Sequence, residues 1–247
     1  MRAVGTANAW FAFKGIRNDV FDVRMVGMPT RPRPAEKGKY IDIPGTNGRV
    51  WQSQRAYDRI PVTQRVVAND NANIDDINAW LDGEGDLIFG DEPERVYHAR
   101  ITKEISRANQ TPRLRGQAFT INFDCEPFRY SANAEGESVT AYESAFPIPN
   151  PGTVYSEPLI IVNGSGSGTL QIGQNTMFFE DLTAGVPLYV DCAAKIAYTG
   201  TGAADDPMLP ATQHTGGEWM RIAPGPNFIN IDGGITSVTV HPRWRWL

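Results

Sequence analysis

The residues best suited to chemistry are few and scattered. Cys125 sits in the stretch INFDCEPFRY, Ile121 to Tyr130, between Asp124 and Glu126. A thiol works as nucleophile or metal ligand only as a thiolate, which needs a cationic or metal neighbour. Two flanking carboxylates do the opposite, since negative charge beside the thiol raises its pKa. His98, His214 and His241 are far apart in sequence, and neither Cys-x-x-Cys nor His-Glu-x-x-His spacing occurs. The glycine stretch NGSGSGTLQIG at 163–173 has the composition of a phosphate loop without its Gly-x-Gly-x-x-Gly spacing or Lys-Ser/Thr ending. It reads as a flexible turn between two strands. Adjacent carboxylates at Asp75-Asp76, Asp91-Glu92, Glu180-Asp181 and Asp205-Asp206 do not define a glycosidase pair, which must face itself across a cleft. Trp219, Trp244 and Trp246 offer a sugar-stacking platform, though Trp244 and Trp246 share a strand face with Val238 and Val240, where tryptophans more often belong to a core.

The elements around these residues explain most of them. Phe119, Ile121, Phe123 and Cys125 alternate with Thr120, Asn122 and Asp124, the period-two pattern of a half-buried strand. Cys125 therefore reads as a buried structural thiol, and Pro127, which has no N–H to donate, ends the ladder. Tyr97 to Ile105 repeats the alternation, and similar pieces recur at 16–26, 60–68, 158–163, 176–180, 186–191 and 235–246. Frequent Gly and Pro between short alternating runs predict a mainly β protein. One segment differs. NIDDINAWLDGEG at 73–85 puts Ile74, Ile77 and Leu81 on one helical stripe, with Asn73 as N-cap and Gly83 to close the C-terminus.

A chain of 247 residues suits one large or two ordinary domains. Alternation fades over 131–150, and Pro147, Pro149 and Pro151 follow. The charge balance shifts at the same place: 19 Lys and Arg against 17 Asp and Glu in residues 1–132, then 4 against 11 in 133–247. These changes predict a β-sandwich over 1–132, a linker and domain start over 133–157, and a second sandwich over 158–247. A near-neutral half and an acidic half argue against duplex binding, which takes a concentrated basic face. The N-terminus lacks the apolar core of a signal peptide, and PLIIV at 158–162 is too short to span a bilayer, so the two cysteines are expected to stay reduced. The acceptor-like triplets at Asn109 and Asn163 would then go unused.

The order of these pieces resembles the distal tail proteins of long, flexible-tailed (siphovirus-type) bacteriophages. IDIPGTNGRVW at 41–51 is similar to the family's Pro-Gly-x-x-Gly turn, and YDRIPVTQRVV at 57–67 to the polar strand after it. Residues 73–101 resemble its short helix, strand, acidic-Pro turn and tyrosine-bearing strand. FDCEPFRY at 123–130 resembles its domain-closing segment, and NPGTVYSEPLIIVNGSGSGTLQIG at 150–173 the opening of its second domain.

The resemblance implies a structural hub rather than an enzyme, with no catalytic residue, metal or cofactor. The first domain, a β-sandwich with one short helix and a hairpin, would close into a homo-hexameric ring around the DNA channel. The second would be galectin-like. The ring would join the tail tube to tail-tip, tail-fibre or receptor-binding proteins, in the virion tail tip and made in the host cytoplasm. DNA would pass through without specific binding, and no membrane insertion is expected. The hairpin is expected over Met28–Tyr40 with RPRPAEKGK at its tip, and ring contacts at Met28, Arg31, Arg33, Lys37, Lys39 and Tyr40. The helix face at Ile74 and Ile77 is the second candidate. A carbohydrate-binding sandwich using Trp219, Trp244 and Trp246 is the alternative.

Overall fold

The structure, a computed structural model, describes residues 9–45, 47–70, 72–103, 105, 116–133, 136–203 and 206–247. The triplet at Asn109 and the carboxylate of Asp205 lie outside the described residues. The chain is mainly β and divides into two compact units, Met1–Ala132 with Leu247, and Asn133–Trp246.

The first unit contains strands β1 (Phe11–Phe13), β2 (Ile16–Arg17), β3 (Val23–Met25), β4 (Glu36–Asp42), β5 (Arg49–Tyr57) and β6 (Ile60–Ala68). Helix α1 (Ile74–Leu81) follows, then β7 (Glu84–Phe89), β8 (Arg95–Arg100), β9 (Gln117–Cys125) and β10 (Arg129–Ser131). The main sheet runs β2-β1-β7-β8-β9-β6-β3, with β10 also paired to β8. Its inward residues include Phe11, Phe13, Val62, Val66, Leu87, Phe89, Ile121, Phe123 and Cys125. The phenylalanine rings meet one another edge-on or tilted, as ring quadrupoles prefer: Phe11 and Phe123 have centroids 5.9 Å apart at 72°.

The two ends of this sheet are joined. Only the 3-10 turn Asn18–Phe21 and its cap Asp22 separate β2 from β3 in sequence. The Asn18 side chain is 3% exposed. It accepts the Phe11 N–H at 2.8 Å and donates to the Val23 carbonyl at 2.7 Å, so one buried amide clasps β1 to β3. The single strand expected over 16–26 is therefore two strands broken by this turn. The strand expected to reach Ile105 ends at Arg100, and Ile101 and Ile105 pack against the core as partly buried side chains.

Helix α1 forms where its stripe predicts. Asn73 accepts the Asp75 N–H at 3.0 Å, and Asp75 and Asp76 sit at the positive end of the helix dipole. Ile77, Trp80 and Leu81 are buried, with the Trp80 indole donating to the Phe13 carbonyl at 2.9 Å. Trp80 also stacks on Phe21 at 4.6 Å, which fixes an eight-residue helix too short to persist alone.

The second unit contains β11 (Val139–Ala141), β12 (Phe146–Pro147), β13 (Leu159–Ile172), β14 (Asn175–Leu182), β15 (Leu188–Asp191), β16 (Ile196–Thr199), β17 (Leu209–Pro210), β18 (His214–Gly217), β19 (Phe228–His241) and β20 (Arg245–Trp246). The 14-residue strands β13 and β19 pair from Leu159↔His241 to Ile172↔Ile229, with register shifts around Gly164 and Gly168. The sheet forks at that bend. β15, β16 and β17 continue from the first half of β13, and β14 and β18 from the second. Ile160 and Val162 from one half and Leu170 and Ile172 from the other share one core with Phe179, Val190, Val238 and Val240.

Glycine makes this bend possible. A Cβ on Gly234 would lie 1.8 Å from the Ser165 carbonyl oxygen, and one on Gly164 would lie 2.4 Å from the Gly234 oxygen. The 163–173 stretch is thus a bend inside one strand, not a turn between two. Gly164 is packed backbone against backbone there, Gly168 lies against Ile235 and the Asp232 carbonyl, and Gly166 faces open space.

Candidate functional site

β4 and β5 form a separate two-stranded sheet that departs from the main sheet of the first unit. Their register runs from Asp42↔Arg49 through Tyr40↔Trp51 to Glu36↔Tyr57. Opposed residues project to the same face, so Tyr40 and Trp51 share one face and Ile41 and Val50 the other. Tyr40 and Trp51 meet edge-on at 4.9 Å. The Trp51 indole lies across Gly38, where a Cβ would come within 2.4 Å of its Cζ2, so the glycine is the seat of the ring. An Asp42–Arg49 ion pair at 2.8 Å holds the strands together before the tip at 43–48.

The base of this hairpin is tied down firmly. The Asp58 N–H donates to the Ala35 carbonyl at 2.9 Å, and Thr30 and Thr63 exchange backbone hydrogen bonds at 2.9 and 3.1 Å. Arg31 grips Asp91 with both terminal nitrogens, at 2.6 and 2.9 Å, and lies over the Phe89 ring at 4.6 Å. Glu92 adds a contact to Arg31 at 3.8 Å and an ion pair to Arg129 at 3.0 Å. Burial opposes both charges of the bidentate pair, yet the mutual hydrogen bonds and attraction outweigh it. The Asp91 carboxyl is held below its ordinary value and the Arg31 guanidinium above its own.

Beyond that base the ribbon has no cover from its own unit. Tyr40 is 63% exposed, Val50 52%, Ile43 46%, Trp51 40% and Ile41 39%. Apolar side chains on both faces of a bare ribbon have the character of an assembly surface.

The expected contact residues divide on this geometry. Met28, Arg33, Lys37, Lys39 and Tyr40 are exposed, whereas Arg31 is part of the half-buried anchor. Ile74 is partly buried against the core and Ile77 is 0% exposed, so Ile77 faces inward and presents nothing to a neighbour. RPRPAEKGK is not a hairpin tip. It is the entry to β4 and that strand's first four residues, and the tip is the Pro-Gly-x-x-Gly turn after Ile43. Reading composition alone missed Ile41, Ile43, Val50 and Trp51. The signal that locates them is Asp42 and Arg49 flanking that turn as a cross-strand pair.

The chemical candidates are placed as follows. Cys125 and Cys192 are buried and unpaired, and burial pushes each thiol up to about 12. His98 pairs with Asp86 at 2.8 Å and lies against Tyr130, and burial lowers the pKa of His214. Among the described residues no group of three His, Cys, Asp or Glu side chains could hold a metal ion. The tryptophans do not form a platform. Trp244 is 6% exposed, Trp219 packs on His214 at 4.7 Å, and the Trp246 indole donates to the Pro151 carbonyl at 3.2 Å. β19 ends at His241, because Pro242 has no N–H and Arg243 turns left-handed at φ 52°, so Trp244 and Trp246 do not continue that strand.

Comparison with known proteins adds to this geometry. Residues 18–125 match the phage tail protein RIFT-related domain. No curated protein matches the sequence. The fold resembles the crystal structure of SPP1 Dit (gp 19.1), described as a paradigm of the hub adsorption apparatus in phages that infect Gram-positive bacteria. That likeness has a TM-score of 0.65 at 16% identity and covers 96% of this chain and 99% of that one. The phage P2 baseplate, in its activated conformation with Ca, overlays more loosely, with a TM-score of 0.38 and 7% identity over 94% of this chain and 97% of that one.

Proposed function

We propose that this chain, which carries a phage tail protein domain in its first unit, is a structural hub of the virion's tail tip. Six copies close into a ring that joins the tail tube to tail-tip, fibre or receptor-binding proteins around the DNA channel. The role is mechanical and architectural, without catalysis or a cofactor.

The observation that carries this reading is the uncovered hairpin β4–β5. A two-stranded ribbon is marginal by itself in water, and one with apolar residues on both faces is stable only with a neighbour over it. Head-to-tail contacts that close on themselves give cyclic symmetry. The first half of the chain, with 19 basic against 17 acidic residues, suits a channel wall that lets DNA slide without gripping it. The acidic second unit would be the outward, galectin-like platform for other tail proteins. The two units would fold independently, dividing at Ala132–Asn133, with 133–157 contributing β11 and β12 to the second unit, and protease would nick first in 200–217.

Native mass spectrometry of the chain, alone and with the adjacent tail-tip protein, tests the reading. A hexamer or a doubled ring is expected, lost when a short turn joins Ala35 to Asp58 in place of the hairpin. Monomers under every condition would overturn it.

A further inference from the structure

The ring reading leaves open what receives the hairpin. Resting on that reading, we infer that the acceptor is the apolar seam Ile16–Met28 of a second copy. Among the described residues of the first unit, the exposed large apolar side chains fall into two groups. One is the hairpin set of Tyr40, Ile41, Ile43, Val50 and Trp51. The other is Ile16 at 41% exposed, Val20 at 70%, Val26 at 42% and Met28 at 59%. Both groups remain exposed in the same copy, so a chain does not cover its own seam with its own hairpin.

The seam follows the place where the two ends of the sheet are clasped. Ile16 lies in β2, Val20 in the 3-10 turn, and Val26 and Met28 just past β3. It is a rigid surface: Asn18 ties β1 to β3, the Val26 N–H donates to the Arg65 carbonyl at 2.8 Å, and the Asn69 N–H to the Asp22 carbonyl at 3.0 Å. Its formal charges balance, Arg17 and Arg24 against Asp19 and Asp22, with Arg17 paired to Asp19 at 2.9 Å and Arg24 donating to the Asn69 side chain, so the seam presents no net charge to the incoming ribbon.

The competing surface on this unit fits worse. The open cleft between β7, β8 and β9 is lined by Arg59, Glu84, Asp86, His98, Arg100 and Asp124. Its polar groups are already partnered, in Arg59–Asp124 and Arg100–Glu84 ion pairs and a His98–Asp86 contact. An apolar ribbon laid there would strip water from charged groups and offer no partner in return. On the seam the same ribbon removes apolar surface from both sides. Size is also consistent. A specific interface takes about 20–30 residues a side, which the hairpin Glu36–Tyr57 supplies. The shorter seam makes each contact individually weak, and closing the ring reinforces all of them.

The test uses two full-length variants, under the conditions in which the parent chain forms rings. One carries Val20→Asp and Met28→Asp, which leaves the hairpin intact. The other has the hairpin replaced by a short turn, which leaves the seam intact. Each alone is expected to be monomeric by native mass spectrometry, with the melting curve of a folded chain. Mixed, they should form a one-to-one dimer and nothing larger, because a single intact hairpin meets a single intact seam. As a second readout, Val26→Cys with Ile41→Cys in one chain should give an oxidised ladder of up to six copies. Rings that persist in the seam variant, or a mixture that stays monomeric, would overturn the inference while leaving the hub intact. A parent chain that never forms rings would instead sink the hub reading itself.

Discussion

Two antiparallel pairs in this molecule invite comparison. β13–β19 in the second unit and β4–β5 in the first are both long, both twisted through register shifts, and both rich in backbone hydrogen bonds. One is buried along its inner side, with Ile160, Val162, Leu170, Val238 and Val240 all at 0% exposure. The other shows solvent its aliphatic and its aromatic face. Ladder pairing is therefore not what distinguishes a stable pair from an incomplete one. Burial does, because exchanging water for a backbone partner is nearly neutral while removing apolar surface from water is not.

The sharpest way to break the comparison is a single methyl group. Gly234→Ala forces a Cβ toward the Ser165 oxygen, 1.8 Å away, and both strands would have to separate. A loss of more than about 3 kcal/mol, or failure of the second unit to fold, is expected in denaturant titration. Gly45→Ala at the hairpin tip, with φ +83° and no atom within 4 Å, should cost only about 1–2 kcal/mol, and only in the ribbon.

Truncating matched side chains sharpens the contrast. Ile160→Ala in β13 should cost about 2–5 kcal/mol, the range for a large-to-small change in a packed core. Ile41→Ala in β4 should change the stability of the isolated chain by less than about 0.5 kcal/mol while weakening assembly. Equal losses in the monomer would mean that the hairpin is already covered.

The anchor at the hairpin base gives an intermediate effect with a pH signature. Asp91→Asn should cost about 1–3 kcal/mol at neutral pH, since it removes charge-assisted hydrogen bonds to Arg31. A carboxyl held low in the folded state adds stability that is fully present above its ordinary value of 3.8 and is lost as pH falls through the folded value. The gap between parent and variant should thus close in acid melts below that value. A gap independent of pH would show that Asp91 acts by shape alone. Cys125→Ser should cost a similar amount, about 1–3 kcal/mol, for a buried hydroxyl with its backbone neighbours already engaged. Rapid labelling of the native thiol at neutral pH would contradict its burial.

Local rules were enough for some of these features. Helix α1 and the Phe119–Cys125 strand follow from period and capping, because both depend on residues within one turn or one alternation. The hairpin defeated that reading because Arg31, Arg33, Lys37 and Lys39 look like a solvated tip. Arg31 is in truth committed to Asp91, sixty residues away in sequence. The bend in β13 defeated it for a related reason. Glycines in a row suggest a turn, and only Gly233 and Gly234 on the partner strand show that they are there to let two backbones touch. The Asn18 clasp gave no pattern at all, since its partners are backbone groups.

The bend in β13 and β19 also governs how the second unit can come apart. Two continuous strands pass through both arms of the fork, so the arms are coupled by covalent backbone and not by packing alone. Neither arm can open like a lid while the other stays closed. Amide exchange along Leu159–Ile172 and Phe228–His241 should accordingly report one cooperative opening event instead of two, with protection rising toward the global unfolding limit on both sides of the glycines. A load applied at one end of this unit would reach the far end as tension along the chain, with little slack to absorb it.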